Sequence, residues 1–258
     1  MSDVNISYEY VVQVKDISRQ QDRELYGRSS IHAVSFSFTK KGVHCILAPK
    51  YSGKTQIMDI LAGCDRAYGG DVNVLGNDPY ESPDTRRKIG YVRKENTLYP
   101  NMTVFEIMSF VGESRKVEQG KLYRQIKEAL ELVGLDGMRS KLVVSLNEYD
   151  QKRLSLAAAL LGNPELILLD EQILAKTSED RREELERIVS MLGRVKTVIV
   201  TTDDCAIARS LGEDVVIISD GAVLAKGSFD ELDRKLSSSD EPTTLEALYN
   251  TLTSVSLK

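Results

Sequence analysis

Val43-His44-Cys45-Ile46-Leu47-Ala48-Pro49-Lys50-Tyr51-Ser52-Gly53-Lys54-Thr55 is the stretch whose reading decides the fold. Its first five residues form a short apolar run of the kind found in strands buried on both faces. Beyond the turn, Ile57, Met58, Ile60 and Leu61 recur at helical spacing between Lys54 and Leu61. Strand, loop and helix therefore follow in direct succession. The loop Ala48 to Thr55 is a phosphate-binding pattern, G-x-x-x-x-G-K-[ST], with Ala48 in place of the first glycine. Such a loop turns backbone N–H groups toward β- and γ-phosphates at a helix N-terminus, sets a lysine ammonium against their charge and places a hydroxyl on Mg²⁺. Lys54 and Thr55 supply the last two groups. Read alone, the loop also fits a plain strand-to-helix turn that happens to contain Gly-Lys-Thr.

Working outward, Tyr8 to Ile17 and His32 to Thr39 alternate apolar with polar residues and read as half-buried antiparallel strands joined by a polar loop, Gln20 to Ser30. A second small β region, Asp71 to Leu75 and Ile89 to Val92, precedes three helical patterns between Val104 and Ala159. After Asn163-Pro164, strands at Leu166 to Leu169, Thr197 to Thr202 and Val215 to Ser219 alternate with helices at Glu179 to Leu192 and Ala206 to Leu211, which is the pattern of a parallel α/β core. Asp214 to Gly227 reads as a hairpin turning at Asp220-Gly221. Ser237 to Pro242 is a polar linker before a last weak helical segment, Leu245 to Leu252.

The 258 residues suffice for one large domain or two small ones. With 41% hydrophobic and 28% charged residues the composition is that of a folded globular protein. A net charge of −5 argues against an electrostatic grip on nucleic acid. The apolar runs fall far short of the roughly 20 residues of a membrane-spanning helix. The start, Met1-Ser2-Asp3-Val4-Asn5, lacks the pattern of a secretory signal, so a cytosolic location is expected. Cys45, Cys64 and Cys205 are too scattered for a metal site and are assigned no chemistry.

A second chemical element is Glu165-Leu166-Ile167-Leu168-Leu169-Asp170-Glu171, an apolar strand ending in two carboxylates at the edge where doubly wound sheets place ligands. One carboxylate can hold Mg²⁺ through water while the next orients attacking water. With the Lys54 loop and this strand together, the chain resembles the ATP-binding subunit of an ABC transporter over about Tyr8 to Leu236. Three further stretches carry the likeness: Ile89 to Glu95 followed by Leu98 to Val104, Gln151 to Leu160 with Asn163-Pro164-Glu165, and the hairpin Asp214 to Gly227. The resemblance implies an α/β fold: a P-loop NTPase core of mainly parallel sheet, with an N-terminal antiparallel β subdomain and an inserted helical subdomain at about 95–162. It implies a cassette over 1–236 and a tail over 237–258. It implies that ATP lies on Ala48, Pro49, Lys50, Tyr51, Ser52, Gly53, Lys54, Thr55 and Gln56, that Tyr26 stacks on adenine unless it is a plain loop tyrosine, that Thr55 and Asp170 hold Mg²⁺, and that Glu171 is the general base or water-orienting group.

The chain departs from the family at several positions that perform the chemistry. Ala48 and Tyr51 stand where glycine is usual, and their side chains restrict the backbone around the phosphates. Lys94 replaces a glutamine that senses Mg²⁺ and the attacking water, and Asp203 replaces a histidine facing the γ-phosphate. The signature, Leu-Ser-Gly-Gly-Gln in the family, reads Leu146-Asn147-Glu148-Tyr149-Asp150, so carboxylates stand where the family offers a serine and backbone amides to the nucleotide of the opposite subunit. Gln172 to Thr177 lacks the family's linking aspartate.

The expected function is an ATP-binding subunit that pairs with a second such subunit, as homo- or heterodimer, on a membrane-embedded partner at the inner face of the membrane. It would bind Mg-ATP with hydrolysis slow or lost, and contact no nucleic acid. Leu98, Met102, Val104, Phe105, Ile107 and Met108 would form a docking face or core, with core expected for most. The competing expectation is a scaffold of the same fold that binds no nucleotide.

Overall fold

Uninterrupted apolar runs become strands buried on both faces, and such runs organise the chain. The structure, a computed structural model, describes residues 10–19, 31–94, 98–170 and 178–237 together with Glu246, Ala247 and Tyr249. In chain order the elements are β1 (Tyr10–Arg19), β2 (Ile31–Thr39), β3 (Gly42–Leu47), α1 (Lys54–Leu61), β4 (Gly69–Val74), α2 (Pro83–Arg87), β5 (Ile89–Val92), α3 (Val104–Ser114), α4 (Gln119–Leu132), α5 (Glu148–Leu160), β6 (Leu166–Leu169), α6 (Glu179–Gly193), β7 (Thr197–Thr202), α7 (Cys205–Leu211), β8 (Asp214–Ser219), β9 (Ala222–Ser228) and α8 (Phe229–Ser237). They form two compact units, Met1–Arg86 with Thr201–Lys258, and Arg87–Val200.

In the first unit, β1 runs antiparallel between β2 and β4, with Val12 opposite Phe38 and Val74, and Val14 opposite Phe36 and Val72. The alternation read from sequence is real: Val12, Val14, Val34, Phe36 and Phe38 are buried while the residues between them are mostly not. β3 is buried at all six positions and pairs in parallel with β8, from His44 opposite Asp214 to Leu47 opposite Ile217. β8 turns back through Asp220 and Gly221 into the antiparallel β9. Both turn residues take positive φ, 47° and 74°, as a two-residue hairpin loop with the strands' own twist requires.

The sequence reading passed over α8. Its start is a capping box, in which the Glu231 amide donates to Ser228 Oγ at 3.2 Å and the Ser228 amide donates to the Glu231 carboxylate at 3.3 Å. Arg209 of α7 donates twice to Asp233 and ties the two helices together. The tail helix expected at Leu245 to Leu252 lies mostly outside the described residues.

In the second unit, β5, β6 and β7 pair in parallel, with Leu166 opposite both Ile89 and Thr197 and Leu169 opposite both Val92 and Val200. All four residues of β6 are fully buried. Helices α3, α4 and α5 belong to the same unit. Thr103 and Glu106 close a capping box at the start of α3: the Thr103 amide donates to Glu106 Oε2 at 2.7 Å and the Glu106 amide to Thr103 Oγ1 at 3.2 Å. Of the apolar residues weighed as docking face or core, Val104, Ile107 and Met108 are core, Leu98 and Met102 are half-buried and Phe105 is exposed. Among the described residues no helix is long and apolar enough to cross a membrane.

Close approach of β5 to α5 rests on Gly90, where an added Cβ would lie 2.3 Å from the Ala159 carbonyl oxygen. Gly90→Ala is expected to lower the unfolding free energy by about 1–3 kcal/mol in urea at constant m. An unchanged midpoint would show that the strand and helix do not meet this closely.

Candidate functional site

β3 is wholly buried, its one polar side chain, His44, lying against the Thr39 and Lys41 carbonyls, and the loop begins past Leu47. The Ala48 amide donates to the Thr202 carbonyl at 2.9 Å, which joins the loop to the end of β7 and brings the next residue, Asp203, to the loop's start. Ala48 is buried, Pro49 half-buried, and Lys50 and Tyr51 are exposed. Tyr51 takes φ 64° and Gly53 φ 90°, so left-handed residues flank Ser52. This is where the family pattern has glycine at 51, and the tyrosine adopts the glycine conformation at a cost in strain.

Ser52 Oγ is buried with no hydrogen-bond partner among the described residues. Lys54 is also buried, and its ammonium donates back across the loop to the Ala48 carbonyl at 3.0 Å. Gly53 caps α1 without a side-chain hydrogen bond, and no acidic residue stands in the first turn. The positive end of α1 is therefore left to be met by something else. A buried ammonium, an orphan hydroxyl and an uncapped helix start converge on one chemistry, that of a polyanion such as a phosphate chain. Thr55 and Gln56 follow half-buried on α1.

In the second unit, Asp170 sits fully buried just past β6, its amide donating to the Val92 carbonyl at 3.0 Å. Lys94 stands two residues past β5, half-buried, at the same end of the parallel pair. Asp203, in the first unit, is half-buried, while its neighbour Asp204 caps α7 by accepting from the Ala206 and Ile207 amides. Two expected site residues, Tyr26 and Glu171, lie outside the described residues, as does Gln172 to Thr177.

The start of α5 is the opposite of the start of α1. Asn147 caps it, accepting from the Asp150 amide at 2.9 Å and donating to the Asp150 carboxylate at 2.8 Å. Asp150 is buried and accepts from Arg153, which also lies 3.5 Å from Glu184 of α6. Tyr149 donates its hydroxyl to Glu184, and the guanidinium groups of Arg153 and Arg181 lie 4.7 and 5.1 Å from the centre of its ring. Lys152 pairs with Glu148 at 3.6 Å. Carboxylates and a side-chain cap thus occupy the helix start on which an anion would otherwise rest. Sequence reasoning placed Asn147 to Asp150 but missed Arg153, Arg181 and Glu184. The Asp150–Arg153 spacing on one helix is a readable pair signal, whereas Glu184 comes from another helix and has none.

A family model described as ABC transporter matches residues 31–173, just over half of the chain. The spermidine/putrescine import ATP-binding protein PotA of Spiroplasma citri is 26% identical over 219 residues, 84% of this chain and 61% of that protein. The protein of the same name from Desulfitobacterium hafniense (strain Y51) is 28% identical over 223 residues, 85% of this chain and 62% of that protein. The chain thus spans less than two thirds of the length of these curated relatives. Among solved structures, an ATP-binding subunit of an ABC transporter superposes with a TM-score of 0.81 at 20% identity, covering 94% of this chain and 99% of that one. A dimeric ATP-binding cassette in a post-hydrolysis state, bound to ADP and Pi, gives 0.74 at 23% identity, covering 84% and 98%. The structural likeness shows the fold, an α/β P-loop NTPase with an antiparallel sheet and a mainly parallel one.

Two measurements follow from this geometry. Tyr51→Gly relieves about 1–2 kcal/mol of left-handed strain against about 0.5–1 kcal/mol of added chain freedom. Because Tyr51 is 78% exposed, little burial is lost, and a net gain of about 0.5–1 kcal/mol is expected in urea unfolding. Burial first, and then the Glu184 carboxylate, pushes the Tyr149 phenol up to about 12. The fold therefore favours the neutral phenol, a contribution complete below the ordinary value near 10 and lost as pH rises from there through about 12. In an alkaline absorbance titration Tyr149→Phe should remove the late-titrating phenol and flatten the decline of stability over that window. An unchanged titration would place Tyr149 in water.

Proposed function

The chain belongs to the ABC transporter family as an ATP-binding subunit, and from that premise we propose that it binds Mg-ATP on the Lys54 loop but hydrolyses it slowly or not at all. The observation that carries binding is the start of α1: buried Lys54, the Ser52 hydroxyl without a partner among the described residues, and a helix end with no side-chain cap and no acidic residue in its first turn. These groups suit a triphosphate, with loop amides and the Lys54 ammonium holding the β- and γ-phosphates. The hydroxyl of Thr55 and the carboxylate of Asp170 are hard oxygen donors suited to Mg²⁺, and by the family pattern they would be its ligands. Bound Mg²⁺ would neutralise charge between the phosphates. Tyr26 would stack on adenine, and Glu171 would orient water if any is activated.

Impaired turnover is supported by three features. Lys94 puts an ammonium where a neutral amide is usual, Asp203 puts a carboxylate where a donor is usual, and the start of α5 carries Glu148 and the buried, internally bonded Asp150. A carboxylate-bearing helix start repels a γ-phosphate instead of receiving it. In a dimer of such subunits this weakens the partner's site, while Lys94 and Asp203 weaken the chain's own. We propose that residues 1–236 act as one ATP-binding domain with its helical part at about 95–162, attached at the inner face of the membrane through a membrane-embedded subunit. The curated relatives are named for spermidine/putrescine import. Transport carries over to this proposal and the cargo does not, because the membrane subunit selects it.

ATP binding with Mg²⁺ is measured on the chain and on Lys54→Ala, followed by phosphate release from the same samples. The expected result is saturable binding weakened at least tenfold in the variant, about 1.4 kcal/mol or more, with little release. No binding at millimolar ATP would favour the scaffold function supported by the altered Lys94, Asp203 and Asn147 to Asp150. Brisk release would overturn the impaired-hydrolysis reading.

A further inference from the structure

The first unit holds a cavity of about 460 Å³ whose lining includes Ile60 of α1, Asp65, Arg66 and Tyr68 from the chain leading into β4, and Asp78 and Tyr80 from the turn after it. Both segments are pinned. Arg19 of β1 donates to the Asp65 carboxylate and to the Arg66 carbonyl, each at 2.5 Å, and its guanidinium lies 5.1 Å from the centre of the Tyr68 ring. The Tyr68 amide donates to the Ser18 carbonyl at 2.9 Å. The Tyr80 amide donates to Asp78 Oδ1 at 2.8 Å, and the Tyr80 carbonyl accepts from Arg86, which also holds the Pro79 carbonyl. The two segments meet at Gly63, where an added Cβ would lie 2.4 Å from the Pro79 carbonyl oxygen. Tyr68 and Tyr80 are held in place by these bonds and are still 74% and 43% exposed.

Arg19 neutralises Asp65, which leaves the lining one charge of each sign. Asp78 gives one carboxylate oxygen to the Tyr80 amide and stands exposed. Arg66 lies 5.9 Å from the centre of the Tyr80 ring and 3.9 Å from the carboxylate of exposed Glu81, a surface pair that holds it weakly. We infer that this cavity binds a free aromatic α-amino acid, its carboxylate on Arg66, its ammonium on Asp78 and its ring against Tyr68 and Tyr80. The volume suits such a ligand, since about 460 Å³ falls within the roughly 300–1,000 Å³ of small-molecule sites. One cation and one anion reject a polyanion, the ligand that suits the start of α1, and reject a polycation equally; they match a zwitterion. A guanidinium bonds both oxygens of a carboxylate at once. Two exposed rings select a flat apolar part, because paired aromatic rings gain more than the area they bury. Ile60 lies about 9 Å along α1 from Lys54, so the cavity and the phosphate loop are separate sites of one unit.

The chain contains no tryptophan, so the indole fluorescence of added L-tryptophan reports its own binding to the full chain by anisotropy. L-tryptophan should bind at least tenfold tighter than tryptamine, which lacks the carboxylate, and than indolepropionate, which lacks the ammonium. L-phenylalanine should displace it at least tenfold better than L-leucine. Arg66→Gln should remove the preference over tryptamine alone. Asp78→Asn, which keeps an acceptor for the Tyr80 amide, should remove the preference over indolepropionate alone. Tyr68→Leu and Tyr80→Leu should each narrow the gap between phenylalanine and leucine. No saturable binding of L-tryptophan up to about 10 mM, equal binding of the three indoles, or preferences unmoved by Arg66→Gln and Asp78→Asn in variants with normal melting curves overturns the inference. Binding should persist unchanged in Lys54→Ala, and its loss there would put the ligand on the phosphate loop and overturn the cavity as its site. Neither probe nor readout involves nucleotide, so failure of Mg-ATP binding removes the function proposed above and leaves this result standing, while the converse removes the cavity alone.

Discussion

Strands buried on both faces admit a polar side chain only where it finds a hydrogen-bond partner, as His44 does beside the Thr39 and Lys41 carbonyls, and they leave carboxylates and ammonium groups to the strand ends. β3, β6 and β7 are buried at every position. Carboxylates and ammonium groups, absent from all three strands, are consequently driven to the strand ends, where the chain leaves the sheet. In the first unit the Ala48 to Thr55 loop follows β3 and Asp203 follows β7, held together by the bond from the Ala48 amide to the Thr202 carbonyl. In the second, Lys94 and Asp170 follow β5 and β6, whose parallel register brings Val92 beside Leu169. The polar groups at these strand ends need no separate explanation for their clustering within each unit.

Two helix starts then settle the same electrostatic problem in opposite ways. Every helix begins with unsatisfied amides and a partial positive charge. α1 leaves them open behind Gly53, with Lys54 adding a full charge beside them. α5 closes them with Asn147 and surrounds them with Glu148 and Asp150. The closed start is no loose surface feature, because Asp150 and Arg153 are nearly buried and linked through Glu184 and Tyr149 to α6. Removing one partner from such a buried set strands the other charge, so the set is retained or lost as a whole. A chain built this way offers an anion one open helix start and closes the other with its own side chains.

Much of this was legible in the residues themselves. The alternation of Val12 and Val14 with polar neighbours, the five-residue apolar run after Gly42, the Asp220-Gly221 turn and the Gly53-Lys54-Thr55 sequence each state a local preference that the fold obeys, because local geometry and burial agree there. Others were legible and unread: Ser228 to Glu231 is a capping box that starts α8, and Pro83 is the first residue of α2, a position proline favours. The interpretation of Leu98 to Met108 split as helical packing dictates, with Val104, Ile107 and Met108 inward and Phe105 outward.

What the sequence by itself determined is the order of the strands and of most helices, the phosphate-loop motif and the absence of glycine from Asn147 to Asp150, since these depend on residue type and near-neighbour spacing. Only the tertiary structure decided that Ser52 lacks a partner among the described residues, that Lys54 turns back to Ala48, and that Glu184 completes the Tyr149 and Arg153 set. Those facts depend on which groups approach through space and which are cut off from water. No pattern along the chain carries that information, because hydrogen bonding and desolvation are properties of the packed molecule.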